Sequence, residues 1–383
     1  MSLVETLADL VSIDSRSSET NAAVIEYAAA RLEGLGMRVR RLPYADESGV
    51  EKVQLIAVAP AETPDDELIE LVYVGHTDTV PFDPAWAEAL TLTEREGNLY
   101  GRGACDTKGF IASALTAAAQ GHLPRLTRPF GIVLTADEEV GCLGAKRLAD
   151  ERAFRARHAV VGEPTSLRPM RAGKGYCLAE AVLRGREGHS AYPHLGASAI
   201  TRAARLLTRV EGIAEELKSE THPAFDPPHT TVNVGLISGG TAKNIIAGEC
   251  RFTLEWRPIP GQPGERFLEL LGREIRALKE EDGDFDCEVR VVRLDSGAET
   301  PADAPLVEDM QTLLGGAAAG TVAFGTEAPQ LIELGADAVV FGPGDIRVAH
   351  RTGEFVPYQE LHACTSILTL LIERFCVLGH PYS

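Results

Sequence analysis

His76, Asp106, Glu139, Glu163 and His350 each stand at the end of a separate hydrophobic run, and Glu138 directly precedes one of them. Imidazole and carboxylate are ligand types that zinc accepts. Five such residues are enough for two ions that share a carboxylate, and the sixth is left over to act as a base. The chemistry such a set could do is metal-assisted hydrolysis.

Each member has an ordinary reading when taken alone. The segment 75–81, GHTDTVP, sets His76 and Asp78 two apart after a strand, so extended backbone points both to one face. One can then bind metal while the other orients it and fixes the imidazole tautomer. A lone His-x-Asp is more often loop hydrogen bonding. Asp106 lies in a glycine-flanked loop that opens an Ala-rich helix, where aspartate is commonly only a cap. Cys105 beside it reads as a thiol packed inward. Asp137, Glu138 and Glu139 put three acids at a strand end, which costs stability unless they are solvated or a cation neutralises them. Glu138 and Glu139 must diverge, so one can bind metal while its neighbour faces the attacking water. Glu163 follows the apolar 159–161, and His350 follows the turn-rich 342–345. All of these residues at strand ends in one chain favour a metal centre, because every ordinary reading would have to hold independently.

The elements that must position them alternate. Apolar runs at 53–58, 68–74, 130–135 and 159–161, with an Ala-rich helical stretch at 110–119, predict an α/β fold with a mostly parallel sheet flanked by helices. Ligands gather beyond the carboxyl ends of such strands. From 174 the pattern becomes strand 176–183, helix 197–217, strand 230–237, strand 249–257, helix 264–279 and strand 285–292. That β-α-β-β-α-β order predicts an inserted ferredoxin-like α+β domain. Helix 304–314, strands at Val322 and 338–341 and a last helix at 359–378 return to the first sheet, with the Gly-Ala run 315–320 as a loop. The reading is therefore a catalytic domain in two parts, 1–173 and 293–383, around an insertion at 174–292.

A length of 383 residues suits two domains of about 100–200 each. A hydrophobic fraction of 44% and a charged fraction of 24% are those of a globular chain. The net charge of −19 argues against nucleic acid or an anionic membrane as partner, since both require a basic footprint. Leu3, Leu7, Leu10 and Val11 share one helical face without the order of a signal peptide. No run of about 18 apolar residues predicts a membrane span. Seven cysteines without a CxxC spacing read as reduced, mostly buried thiols of a cytoplasmic protein.

The successive segments GHTDTVP, GRGACDTKG, TADEEVG, GEPT, GREGHSAYP, GGTAKN, EWRPIPG, FGTEAP and FGPGDIRVAH resemble, in order, signatures of the co-catalytic zinc aminoacylase and carboxypeptidase family. The match is to its acetylornithine deacetylase and succinyl-diaminopimelate desuccinylase branch, and it runs over essentially the whole chain. The resemblance implies two zinc ions per subunit, with cobalt as a substitute. His76, Asp106 and Glu163 would hold one ion, Asp106 would bridge, and Glu139 and His350 would complete the second. Asp78 would hold His76, and Glu138 would be the general base. The resemblance further implies a homodimer through the inserted domain, with His189 reaching the partner's site to stabilise the oxyanion, and substrate contacts at Tyr192, Asn244, Arg257, Gly325 and Thr326. An arginine such as Arg257 can grip an α-carboxylate through two parallel hydrogen bonds.

The stretch 322–329, VAFGTEAP, is closer to the acetylornithine deacetylase branch, so removal of acetyl from an N-acetylated amino acid is the first expectation. Other N-acyl amino acids such as N-acetylcitrulline, succinyl-diaminopimelate, and dipeptides or C-terminal residues are the alternatives. A non-enzymatic amino-acid-binding scaffold would have an eroded site, and here every ligand and the base are present. Glu327 reads equally as a contact for a substrate amine and as a helix-start glutamate. No GxSxG, GxxxxGK[ST], GxGxxG or HExxH motif offers another chemistry.

Overall fold

The computed structural model describes residues 2–60, 68–120 and 122–378. The chain forms two compact units. The first comprises Met1–Arg171, Thr300–Gly320 and Thr326–Ser383, and the second Ala172–Glu299 and Thr321–Gly325.

In the first unit the strands Phe130–Thr135, Leu68–His76, Arg155–Val161 and Asp337–Val340 lie side by side and parallel in that order. Phe130–Thr135 and Leu68–His76 are mainly apolar and buried, as expected of strands covered on both faces, and Arg155–Val161 becomes so from Ala159 onward. The expected parallel sheet is thus the centre of a mixed one. Beyond Phe130–Thr135 the strands Glu51–Ala59 and Arg38–Ala45 continue it antiparallel, and Val340 pairs antiparallel with Met170. Arg38–Ala45 alternates exposed and half-buried positions, the pattern of an edge strand, and carries too little apolar signal to be read in advance.

On one face Leu7, Phe110, Tyr73, Leu368 and Phe375 share the main core with the helices Leu3–Ser12, Lys108–Ala119 and Tyr358–Ile372. On the other, Val72, Val74 and Val133 pack with Leu148 and Leu331. Leu3–Ser12 starts on a reciprocal cap in which Ser2 and Glu5 each accept the other's backbone N–H. The segment Tyr358–Leu378 is by length and composition apolar enough to cross a bilayer, which the sequence reading did not anticipate. Its Leu361, Cys364, Leu368 and Phe375 are buried in the main core and Tyr73 donates its hydroxyl to the Leu368 carbonyl, so its apolar face is already used within the unit.

Register puts the functional ends level. His76 stands opposite Thr135, and Val74 opposite Val161, so residues 76, 136 and 162 leave the sheet together. Gly162 permits this closeness, because a Cβ there would lie 2.1 Å from the Phe110 ring.

The second unit is a four-stranded antiparallel sheet in the order Thr231–Gly239, Glu249–Arg257, Tyr176–Arg184, Asp286–Asp295, with helices Ala199–Leu217 and Glu265–Glu281. This chain order and strand order are ferredoxin-like. Alternate residues of Glu249–Arg257, among them Phe252, Leu254 and Trp256, are buried with Leu206 and Phe267 of the helices. Leu236 and Val292, on the two edge strands, are exposed.

Candidate active site

All seven residues expected at the metal centre belong to the first unit. His76 closes its strand. Its Nδ1 lies 3.0 Å from the Asp78 backbone oxygen and 3.7 Å from the Asp78 carboxylate, so Nδ1 carries the proton. Nε2 is then turned toward Asp106 Oδ1, 3.0 Å away. Asp78 therefore orients His76 more closely through its carbonyl than through its side chain. The carboxylate of Asp78 has other work: its two oxygens accept the backbone N–H of Glu138 at 3.1 Å and of Glu139 at 3.2 Å, and the Ser17 hydroxyl at 2.8 Å.

Asp106 is not a helix cap. The following helix begins at Lys108 with Thr107 at its cap position and without a side-chain cap bond. The Asp106 side chain instead joins two imidazoles, with Oδ1 on His76 and Oδ2 3.0 Å from His350 Nε2. His350 reaches the cluster from a left-handed backbone conformation, φ 59°, and also lies 3.0 Å from Glu139 Oε2. Cys105 is buried, which pushes its thiol well above the usual range, and packs inward as expected.

The acidic turn is not a solvated one. Asp137, at φ 59°, is buried and lies 3.1 Å from the ammonium of Lys52, and it accepts the Tyr44 hydroxyl at 2.7 Å. Glu138 and Glu139 diverge from it into the cluster. One ligand atom each of His76, Glu138 and Glu163 lie within 4.8 Å of one another, and the same holds for His76, Asp106 and Glu139.

Electrostatics fit this geometry. Burial, reinforced by Glu139 and Glu327 and opposed by His76, pushes Glu138 up to about 8. Burial and the nearby Asp106 and Glu138 hold Glu163 well above the carboxylate range. Burial works against ionisation of Asp106, yet its bonds with His350 and His76 more than offset this and lower it. Its bonds with Asp106 and Glu139 push His350 up to about 10. Burial opposes charge on His76 too, and Asp106 and Asp78 still raise it well above its usual value. The cluster thus balances its negative charge only by retaining protons. Divalent cations supply that charge without protons, and a set of imidazoles and carboxylates has the donor chemistry they require.

Four supporting residues escaped the sequence reading. Glu354, fully buried, accepts the N–H groups of Cys105 at 3.0 Å and Asp106 at 3.1 Å and pairs with buried Arg102. Burial and Asp106 raise it to about 7 although Arg102 opposes them. Lys52 and Ser17 anchor the acidic turn and Asp78. Only Lys52 gave a signal, as a lone cation within an apolar strand.

Of the expected substrate contacts, Thr326 falls in the first unit, while His189, Tyr192, Asn244, Arg257 and Gly325 fall in the second. His189 pairs with Ile245 in a two-residue ladder, and Ser190 N–H donates to the Asn244 carbonyl at 3.1 Å, which gathers His189, Asn244 and exposed Tyr192. The His189 Nδ1 accepts the Ala191 N–H at 3.0 Å, so Nε2 of the neutral ring carries a proton to donate. Arg257 lies over the Tyr176 ring, with Nε on Glu255 and Nη1 on the Ala323 carbonyl, both at 2.9 Å.

The model of peptidase family M20/M25/M40 matches residues 72–374, which span every residue of the cluster. The chain belongs to this family. An acetylornithine deacetylase of Myxococcus xanthus is 54% identical over 97% of both chains, and one of Proteus mirabilis is 36% identical over 95% of this chain and 92% of its own. Among solved structures, aminopeptidase PepT of Bacillus cereus aligns with a TM-score of 0.76 at 22% identity over 97% of both chains. An M20 family metallo-carboxypeptidase of Sulfolobus solfataricus aligns with a TM-score of 0.70 at 18% identity over 96% of this chain and 98% of its own. At those identities the structural likeness speaks for the fold. Membership makes the chain a hydrolase of amide bonds in a metal-dependent family, and the strand-end cluster brings together imidazole and carboxylate groups that could hold a metal ion.

Proposed function

We propose that this chain removes the acetyl group of N2-acetyl-L-ornithine, giving L-ornithine and acetate, a step of arginine biosynthesis. The observation that carries the reading is the 54% identity to a deacetylase of that name over 97% of both chains. The acyl bond to be cut is an amide, for which the cluster is suited.

Two zinc ions are the proposed cofactors, with His76, Asp106 and Glu163 holding one, Asp106 shared, and Glu139 and His350 completing the other. When bound they supply Lewis-acid polarisation of the amide carbonyl and lower the pKa of water. Glu138, buried with its pKa raised by burial and by Glu139, is the proposed base. Its carboxylate takes a proton from the attacking water and passes it to the leaving amine. Asp78 fixes both the His76 ring and the turn that carries Glu138. His189, with its Nε2–H available, is the proposed donor to the oxyanion in the site of the partner subunit. Tyr192, Asn244, Arg257, Gly325 and Thr326 are proposed to bind the amino-acid part, with Arg257 on its α-carboxylate.

We further propose a cytoplasmic homodimer joined through the inserted unit. Exposed Leu236 and Val292 on the edge strands of that unit support a self-complementary surface, and seven free cysteines suit a reducing compartment.

Zinc-loaded protein assayed on acetylornithine, acetylcitrulline, succinyl-diaminopimelate and a dipeptide tests the substrate. The expected result is a kcat/KM for acetylornithine at least about tenfold above the others; preference for a dipeptide would overturn it. Glu138→Gln should keep its zinc and lose about 10²–10⁴ in turnover, the range of general acid-base catalysis. Near-normal turnover in that variant would remove the base assignment.

A further inference from the structure

We propose that Glu327 acts as a charge that touches no cation and still strengthens the hold of the strand-end cluster on its divalent ions. The inference rests on the metal-dependent reading above. Glu327 occupies the cap position of the helix Ala328–Glu333, yet its side chain makes no cap bond to that helix. It stands at the helix start that the sequence suggested, without a bond that would cap the helix. Glu327 is 1% exposed and its Oε1 is sealed from solvent in this arrangement.

The side chain turns instead to the floor of the site. It bonds with the Thr135 side chain, and Thr135 is the residue directly across the sheet from His76. Its charge is felt by Glu138, and it in turn feels His76 and Asp78. Oε1 finds no hydrogen-bond donor, and no lysine, arginine or histidine among the described residues forms an ion pair with it. Burial accordingly raises it to about 7.

A buried carboxylate that meets one neutral hydroxyl and no cation costs stability, and it gains attraction as soon as positive charge arrives nearby. The protein thus keeps a group that is a liability alone and an asset with cations present. Groups just outside the ligand set commonly shift metal affinity by about 10–100-fold. The lower end of that range, about tenfold, is expected for a residue that does not itself bond a ligand.

The test compares full-length wild type, Glu327→Gln and Glu327→Asp, each stripped of metal by chelation and titrated with Zn²⁺ against a competing chelator. Thermal unfolding is followed with and without Zn²⁺. Glu327→Gln, which keeps the shape and removes the charge, should bind Zn²⁺ about tenfold more weakly. Its metal-free unfolding midpoint should equal or exceed that of wild type, and its rise on adding Zn²⁺ should be smaller. Glu327→Asp, which keeps the charge, should stay within about threefold of wild type. Affinity of the Gln variant within twofold of wild type overturns the inference, as does weak binding together with a lowered metal-free midpoint, which would mark a packing role. If Glu327→Gln does not fold, a Glu327→Asp affinity lowered tenfold or more overturns it. A wild type that binds no Zn²⁺ removes the metal reading itself, a result separate from any difference between variants.

Discussion

Replacing Asp78 with asparagine alters one atom and disturbs three elements. Oδ1 accepts the Glu138 N–H at 3.1 Å, and Oδ2 accepts the Glu139 N–H at 3.2 Å together with the Ser17 hydroxyl at 2.8 Å. An asparagine keeps one oxygen and presents an NH₂ where the other stood, so one buried backbone N–H faces a donor. An unpaired buried donor costs about 1–3 kcal/mol, and the remaining bonds lose their charge-assisted part. Burial raises the Asp78 carboxyl, but His76, Ser17 and Glu138 N–H together lower it, so the ionised form is the one the fold favours. We therefore expect Asp78→Asn to lose about 2 kcal/mol of stability in urea unfolding of the metal-free protein. A depressed carboxyl contributes stability above its unfolded pKa and loses it as pH falls through the folded value. The gap between variant and wild type should accordingly narrow on acidification below about pH 4. Zinc affinity should fall by about 10–100-fold, since the same residue orients His76. Equal unfolding midpoints and equal zinc affinity would refute the reasoning.

Three further outcomes are expected. Glu138, Glu327 and Glu354 have raised pKa values of about 8, 7 and 7, and His350 one of about 10, so each binds its proton more tightly folded than unfolded. Stability of metal-free protein should fall as pH rises from about 5 to 9, and saturating zinc should flatten that slope, both readable from urea midpoints. Gly162→Ala would drive a methyl to within 2.1 Å of the buried Phe110 ring and should cost about 1–3 kcal/mol in the same unfolding assay. Lys52→Met removes the ammonium that donates to the Ser17 and Glu19 carbonyls at 2.6 and 2.8 Å and neutralises Asp137, and should cost about 3–5 kcal/mol while leaving secondary structure by circular dichroism intact.

The strands that bear the site were legible because their composition is extreme. Phe130–Thr135 and Glu249–Arg257 begin and end where their apolar or alternating runs do. Arg38–Ala45 was missed because an edge strand need not be apolar. Among site residues, those whose type is itself chemical, an imidazole or carboxylate at a strand end, could be named from spacing. Glu354 could not, since it lies four residues past His350 in a turn and acquires its role only by folding back on the N–H groups of Cys105 and Asp106. Ser17 is likewise an ordinary serine until Asp78 is placed beside it. Residues that touch the reacting atoms are chosen for their chemistry and leave a trace in the sequence. Those that hold them in place are chosen for position, which appears only in three dimensions.

Position also explains why the proposed base and a proposed ligand stand next to each other in the chain. Adjacent carboxylates repel, and a turn carrying both would swing outward unless held. Here it is held twice: from behind by Lys52 and Tyr44 on Asp137, and from the front by the two Asp78 oxygens on the N–H groups of Glu138 and Glu139. Because the Asp78 carbonyl also accepts from His76, one residue holds the imidazole and the turn that carries the proposed base and the proposed ligand next to it. A displacement of His76 is then a displacement of Glu138. Asp78→Asn should therefore lower kcat and zinc affinity together, whereas Ser17→Ala, which removes a single bond to the same carboxylate, should lower both by a smaller and parallel amount. A Ser17 variant that altered only one of the two would show that the turn and the imidazole are held independently.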